Sequence, residues 1–281
     1  MPSPDPVLSV IIAARNEEHY IGRCLDALVA QEAPARGHVE IIVAANGCTD
    51  GTVDVARKWE PAFAARGWPL LVLDLAGGGK LGALGAAEAA ATGRALVYLD
   101  ADVVCDSPLL ARLAAVLDTD LPLYATGRLA IAPARSTVTR AYARIWARLP
   151  FVTGGCVGAG LFAVSRAGRA RWGDWPAIIS DDTFARLQFA PDERVEVPVP
   201  YHWPMVEGFG NLTRVRRRQD AGVAEIARLF PGIMRNEGKA PVTPSLLARL
   251  GLTDPFGLAV YLAVHVAVRA RRATGEWTRG R

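Results

Sequence analysis

The chain has 281 residues, 51% of them hydrophobic and 21% charged, with 27 glycines and 19 prolines. It is too long for a disulfide-stapled miniprotein and too apolar for a disordered chain, and it can bury a sizeable core. Its net charge of +4 equals the excess of Arg269, Arg271, Arg272, Arg279 and Arg281 over Glu276 in the last sixteen residues, whereas a nucleic-acid binder more often spreads its basic residues over a docking face, so no nucleic-acid partner is expected.

The elements follow in chain order. Val7 to Ala14 is a continuous apolar run of strand length, and Tyr20 to Gln31 places Ile21, Cys24, Leu25 and Leu28 at helical spacing. Val39 to Ala45 is a second strand, Thr52 to Ala65 a helix, Leu70 to Leu73 a third strand, Lys80 to Thr92 an Ala-rich helix, and Ala95 to Leu99 a fourth strand. Apolar strands alternating with helices predict an α/β fold with a mostly parallel sheet, whose ligands bind beyond the carboxyl ends of the strands. Further on, Leu109 to Leu117 reads as a helix, Leu123 to Ile131 as a strand and Thr137 to Leu149 as an amphipathic helix. The glycine-rich stretch Gly154 to Gly160 leads into the apolar run Leu161 to Val164, and Asp181 to Phe189 reads as a helix. The expected division is 1–235 as one domain, its halves meeting near 105, with 236–281 as a linker and a C-terminal helical tail.

Cys24, Cys48, Cys105 and Cys156 form no C-x-x-C pair, which argues against a cysteine zinc site and for a reducing cytosol. Met1 to Pro6 has no basic start, so no secretion signal is expected. The run Phe256 to Val268 is short of the roughly 20 residues that span a bilayer. The mean hydropathy of +0.18 leaves a peripheral position on the inner face of the cell membrane open.

Five groups of residues carry possible chemistry, each with a plainer reading beside it. Asp100-Ala101-Asp102 follows the fourth strand; paired carboxylates suit Mg²⁺ or Mn²⁺ shared with phosphate oxygens, or they are solvated turn acids. Asn46 to Thr52 follows the second strand and is either a nucleoside-holding loop or a turn with an N-cap from Asp50 or Thr52. Gly77-Gly78-Gly79-Lys80 opens a helix, where backbone amides and a lysine favour phosphate, or it is a surface turn. Ser180-Asp181-Asp182 sets two acids side by side, a base near neutral pH or a helix cap. Arg214, Arg216, Arg217 and Arg218 are a diphosphate-binding cluster or a solvated face.

The joint order of these groups resembles the family 2 glycosyltransferases of GT-A fold, over roughly residues 7 to 220. Val10 to Glu18 is similar to the family's opening strand and its Asn-Glu pair, Asn46 to Thr52 to its Asp-Asp-Gly-Ser loop, and Lys80 to its Gly-Lys helix start. Asp100-Ala101-Asp102 stands where the D-x-D motif belongs, Gly158-Ala159-Gly160 resembles the acceptor-side glycine segment, and Asp181-Asp182 the acidic pair whose second member is the base. The sequence departs from the pattern at Ala45 and Asn46, which replace two acids, at Ala13 and Gly85, and at Gln219 where a tryptophan is usual.

The resemblance implies inverting transfer of a sugar from a nucleotide-diphosphate donor to an acceptor hydroxyl, on a saccharide, a lipid-linked molecule or a small molecule. It implies Asp182 as general base beside Asp181, and Ala14, Asn16, Glu17, Asn46, Asp50, Lys80, Asp100, Ala101 and Arg218 around the donor. It also implies Mg²⁺ or Mn²⁺ on Asp102 and Asp100, with His202 as a third ligand or simply a packed loop histidine. A sugar-phosphate nucleotidylyltransferase and a non-catalytic scaffold are the rival readings. For the tail, Leu258, Tyr261, Leu262, His265 and Val266 at helical spacing, followed by arginines and Trp277, fit either a membrane surface or packing against the protein or a second copy.

Overall fold

The computed structural model describes residues 5–270. The expectations for Arg271, Arg272, Glu276, Trp277, Arg279 and Arg281 therefore lie outside the described residues. Eight strands form one sheet: β1 (Leu8–Ala14), β2 (Val39–Asn46), β3 (Leu70–Leu75), β4 (Ala95–Asp100), β5 (Val104–Cys105), β6 (Tyr124–Ile131), β7 (Leu161–Ser165) and β8 (Arg194–Trp203). Their order across the sheet is β3-β2-β1-β4-β7-β6-β8-β5.

The first four strands run parallel, with Ile11 opposite Ile42 and Tyr98, and Ala45 opposite Asp74. Leu8, Val10, Ile11 and Ile12 are fully buried because helices cover both faces. In the helix Ile21–Val29 the buried residues are the four expected from spacing, Ile21, Cys24, Leu25 and Leu28; burying each such apolar side chain is worth about 1.5–3 kcal/mol. Antiparallel pairing begins at β7, where Leu99 faces Leu161. The sheet is thus parallel over β1 to β4, as expected, and antiparallel in the pairs β4–β7, β6–β7 and β5–β8.

The helix expected over 52–65 is two helices, Thr52–Arg57 and Glu60–Ala65. Pro61 sits in the first turn of the second, where its missing N–H costs nothing; in one continuous helix it would break the ladder. β8 is a strand that the sequence reading missed.

The chain divides into two compact units, and the expected boundaries at 105 and 235 do not follow them. The first comprises 5–130 with 158–177 and 188–203, and the second 131–157 with 178–187 and 204–270. In the second unit the helix Phe209–Leu229 runs for 21 residues, followed by helices Pro244–Thr253 and Pro255–Ala270. No helix among the described residues is long and apolar enough to cross a membrane.

Candidate functional site

In the first unit the parallel register brings the carboxyl ends of β1 to β4 to one edge. The loops after β1 and β2 are sewn together there. Asn16, held at φ 54°, accepts from the Thr49 N–H at 2.8 Å through Oδ1 and donates from Nδ2 to Thr49 Oγ1 at 3.2 Å. The Glu17 N–H donates to Thr52 Oγ1 at 2.7 Å, and the Gly51 N–H to Glu18 Oε2 at 2.8 Å. Asp50 accepts from the Thr52 hydroxyl at 2.5 Å and from the Thr52 and Glu18 N–H groups at 3.1 and 3.3 Å. Burial pulls the Asp50 carboxyl upward, but these hydrogen bonds outweigh it and hold it below its ordinary value. Asn16, Glu17 and Asp50 thus shape the loop through their own bonds. Asn46 is buried, and its Oδ1 has no hydrogen-bond partner within the protein, an acceptor left for a ligand.

The tip of β4 is built by alternation. Ala101 and Val103 are buried, 4% and 0% exposed, while Asp100 and Asp102 between and before them are partly exposed. Burying every second residue turns the carboxylates outward. Lys80, in the first turn of the helix Gly79–Ala90, places Nζ 3.1 Å from Asp100 Oδ1. The Asp100 N–H donates to the Gly160 carbonyl at 2.8 Å, which brings the glycine segment 158–160 against the acidic turn. Gly160 has φ +75°, and a Cβ there would lie 2.6 Å from Trp203 Cδ1 and 2.8 Å from Val103 Cγ2; only glycine allows this approach. Trp203, the last residue of β8, packs here. Ala14 and Ala101 are 2% and 4% exposed, and the Ala14 carbonyl accepts from the Cys48 thiol at 3.6 Å.

His202 Nε2 lies 3.0 Å from Asp106 Oδ1, a partner that sequence reasoning did not find. Asp106 follows β5, and Val104 opposite His202 in the β5–β8 pair sets the distance. Among the described residues no group of three or more His, Cys, Asp or Glu could hold a metal ion. Asp100 and Asp102 offer two hard oxygen donors; a cation there needs oxygens from a bound phosphate, which is how Mg²⁺ and Mn²⁺ sites are commonly completed.

In the second unit Asp181 and Asp182 open the helix Asp181–Leu187, where the dipole favours acids. Asp181 is buried, 7% exposed, and Asp182 is partly exposed. Asp182 Oδ1 accepts from the Thr183 N–H at 2.6 Å. The helix is pinned on several sides: Arg186 pairs with Glu237 at 2.6 Å, Asn236 Nδ2 donates to the Leu187 carbonyl at 2.9 Å, and Phe184 meets Phe230. A Cβ at Gly222 would lie 2.2 Å from Ser180 Oγ, so the helix Phe209–Leu229 passes directly against the acidic pair's start. Of the four arginines at 214–218 on that helix, Arg216 pairs with Asp220 at 2.8 Å and Arg217 donates to the carbonyls of Ala267 and Val268. Those two serve packing and helix capping.

This mixed sheet with helices on its faces is that of the GT-A glycosyltransferases. A model of glycosyl transferase family 2 matches residues 9–170, more than half of the chain, and the protein belongs to that family. It is 32% identical over 112 residues to an uncharacterised glycosyltransferase of Nostoc sp., covering 40% of this chain and 33% of that protein. It is 40% identical over 63 residues to the glycosyltransferase AglE of Haloferax volcanii, covering 22% and 20%. The matches thus span about a third and a fifth of these relatives. Among solved structures it is similar to the mannosyltransferase PcManGT of Pyrobaculum calidifontis, in complex with GDP-Man and Mn²⁺, with a TM-score of 0.59 and 26% identity over 97% of this chain and 78% of that one. The S. aureus TarS structure shares the fold, with a TM-score of 0.53 and 16% identity over 92% of this chain and 72% of the other.

Proposed function

We propose that the protein transfers a sugar from a nucleotide-diphosphate donor to an acceptor hydroxyl with inversion. The observation that carries this reading is the pairing of Lys80 with Asp100 at the tip of β4, beside Asp102. Two outward carboxylates and an ammonium at a sheet's ligand edge suit a diphosphate and a divalent cation together. PcManGT, 26% identical, has been solved with GDP-Man and Mn²⁺, which supports the same class of donor and ion here.

On this reading Asp102 and Asp100 hold Mg²⁺ or Mn²⁺, which when bound screens the charge of the departing diphosphate. Lys80 and Arg218 share that load from the protein's side. Asn46, with its buried acceptor lacking a partner, and the backbone of Ala14 and Ala101 hold the nucleoside, while Asn16, Glu17 and Asp50 keep the loop in shape. Asp182 takes the proton of the acceptor hydroxyl as the oxygen attacks the face opposite the leaving group, and the buried Asp181 supports it. Such a base contributes about 10²–10⁴-fold. His202, paired with Asp106 in this structure, would have to leave that partner to join a metal.

The test is Asp182→Asn assayed with GDP- and UDP-sugars. The variant should bind GDP or UDP like the parent in titration calorimetry and lose transfer by about 10²-fold or more. Transfer at the parental rate would remove Asp182 from the role of base. Nucleotide affinity unchanged by EDTA would remove the cation.

A further inference from the structure

The helix Pro255–Ala270 carries one charged residue, Arg269, and is apolar on two opposite sides. One side is packed within its own unit. Val264 is 1% exposed, Tyr261 stacks on Tyr142 at 5.5 Å between ring centres, and Asp254 just before the helix holds Arg144 at 2.6 Å. Arg217 clasps the carbonyls of Ala267 and Val268 at the far end. Of the residues that fitted either a membrane surface or packing against the protein, Tyr261 and its stacked neighbour His265 are partly covered on the inner side.

As far as Val266 the exposed residues are Pro255, Phe256, Ala259, Leu262, Ala263 and Val266, with Phe256 55%, Leu262 42% and Val266 64% accessible. At 100° per residue they occupy roughly a third of the circumference, opposite Gly257 and Val264. A helix with one side on its protein and the other in water ordinarily carries polar residues on the outer side. Here that side has none until Arg269. Leu252, 87% exposed in the preceding helix, adds to the same apolar surface chemistry.

Charge selects the occupant. The stripe runs into exposed Arg269, and the sequence continues with Arg271, Arg272, Arg279 and Arg281 against the single Glu276. A second copy docking on the stripe would find no carboxylate on it to meet these cations. An anionic bilayer supplies both an apolar layer for Phe256, Leu262 and Val266 and phosphates for the arginines. We propose that the outer face of residues 255–270 rests on an anionic membrane surface, with the helix lying in the plane of the headgroups.

The experiment is co-sedimentation of the full chain with phosphatidylglycerol vesicles and, separately, with phosphatidylcholine vesicles. The protein should pellet with phosphatidylglycerol at least about tenfold better than with phosphatidylcholine, and the difference should shrink at high salt. Phe256→Asp with Val266→Asp should lower the partitioning by about tenfold or more while melting temperature and GDP or UDP affinity stay parental. If that pair fails to fold, Arg269→Glu with Arg271→Glu and Arg272→Glu tests the charge alone and should also lower it. Protein that stays in the supernatant with both lipids overturns the proposal, as does a folded variant that pellets like the parent. A parental dimer in light scattering that the aspartates convert to a monomer also overturns it, since the stripe then belongs to a second copy.

Discussion

Lys80 Nζ lies 3.1 Å from Asp100 Oδ1, tying the first turn of the helix Gly79–Ala90 to the tip of β4. Both side chains are about two-fifths exposed, at 41% and 38%, and an ion pair so open to water contributes only about 0–1 kcal/mol to stability. Its place at the ligand edge gives it another use. Lys80→Met should leave the melting temperature within about 2 °C of the parent and weaken GDP or UDP binding by about tenfold or more in titration calorimetry. A drop in stability with unchanged nucleotide affinity would make Lys80 a structural residue.

Gly160 should resist substitution. Gly160→Ala forces a methyl group toward Trp203 and Val103 at a positive φ, which costs about 2 kcal/mol or more. Because the Gly160 carbonyl receives the Asp100 N–H, nucleotide binding should fall together with stability. Gly77→Ala, with nothing within 4 Å of the added carbon, should change stability by less than about 0.5 kcal/mol. Thermal melts of the pair decide the matter.

Glu88 is the hub of a polar knot on the sheet. It accepts from the Tyr98 hydroxyl at 2.6 Å, the Trp175 ring N–H at 2.7 Å and the Arg169 guanidinium at 2.6 Å, and Arg169 also lies over the Trp172 ring. Burial, with the Glu88 charge beside it, pushes the Tyr98 phenol well above its usual range. Glu88→Ala leaves the Arg169 charge without its counter-ion and should destabilise by about 3 kcal/mol or more in chemical denaturation. Glu88→Gln keeps the shape and should cost less.

Acid should loosen the C-terminal helix through Asp254. The Arg144 guanidinium and the Gly257 N–H hold its carboxyl at about 2, below the ordinary 3.8. A carboxyl held low in the folded state stabilises fully above its unfolded value and loses that contribution as pH falls from about 4 through about 2. Asp254→Asn should therefore be less stable than the parent at pH 7 and equal to it near pH 2. Parallel melting curves of both proteins across that range would deny the pair any role.

The parallel half of the fold was legible because β1, β2 and β4 are buried on both faces and read as largely apolar runs, interrupted only by Ser9 and Glu40 before their polar ends. The motif order at their carboxyl ends was equally legible. β8 was not. Pro198 and Pro200 look like breakers, yet Val197, Val199 and Tyr201 between and after them are buried at alternate positions, 4%, 7% and 0% exposed. That two-residue period was the available signal, and the prolines simply occupy the other side of the strand. The arginine run misled in another way: charge alone does not distinguish Arg217, which caps a helix 50 residues further on, from a ligand-binding neighbour. Asp106 was passed over because its partner His202 lies 96 residues away.

The sheet takes its seventh and eighth strands from late sequence and inserts β7 between β4 and β6. A message truncated after residue 157 would consequently not encode a smaller working piece. It would leave β4 with a bare row of N–H and C=O groups where Leu161 to Ser165 should pair, and such an edge invites strangers. Premature stops between β6 and β7 should thus yield aggregates rather than partial modules.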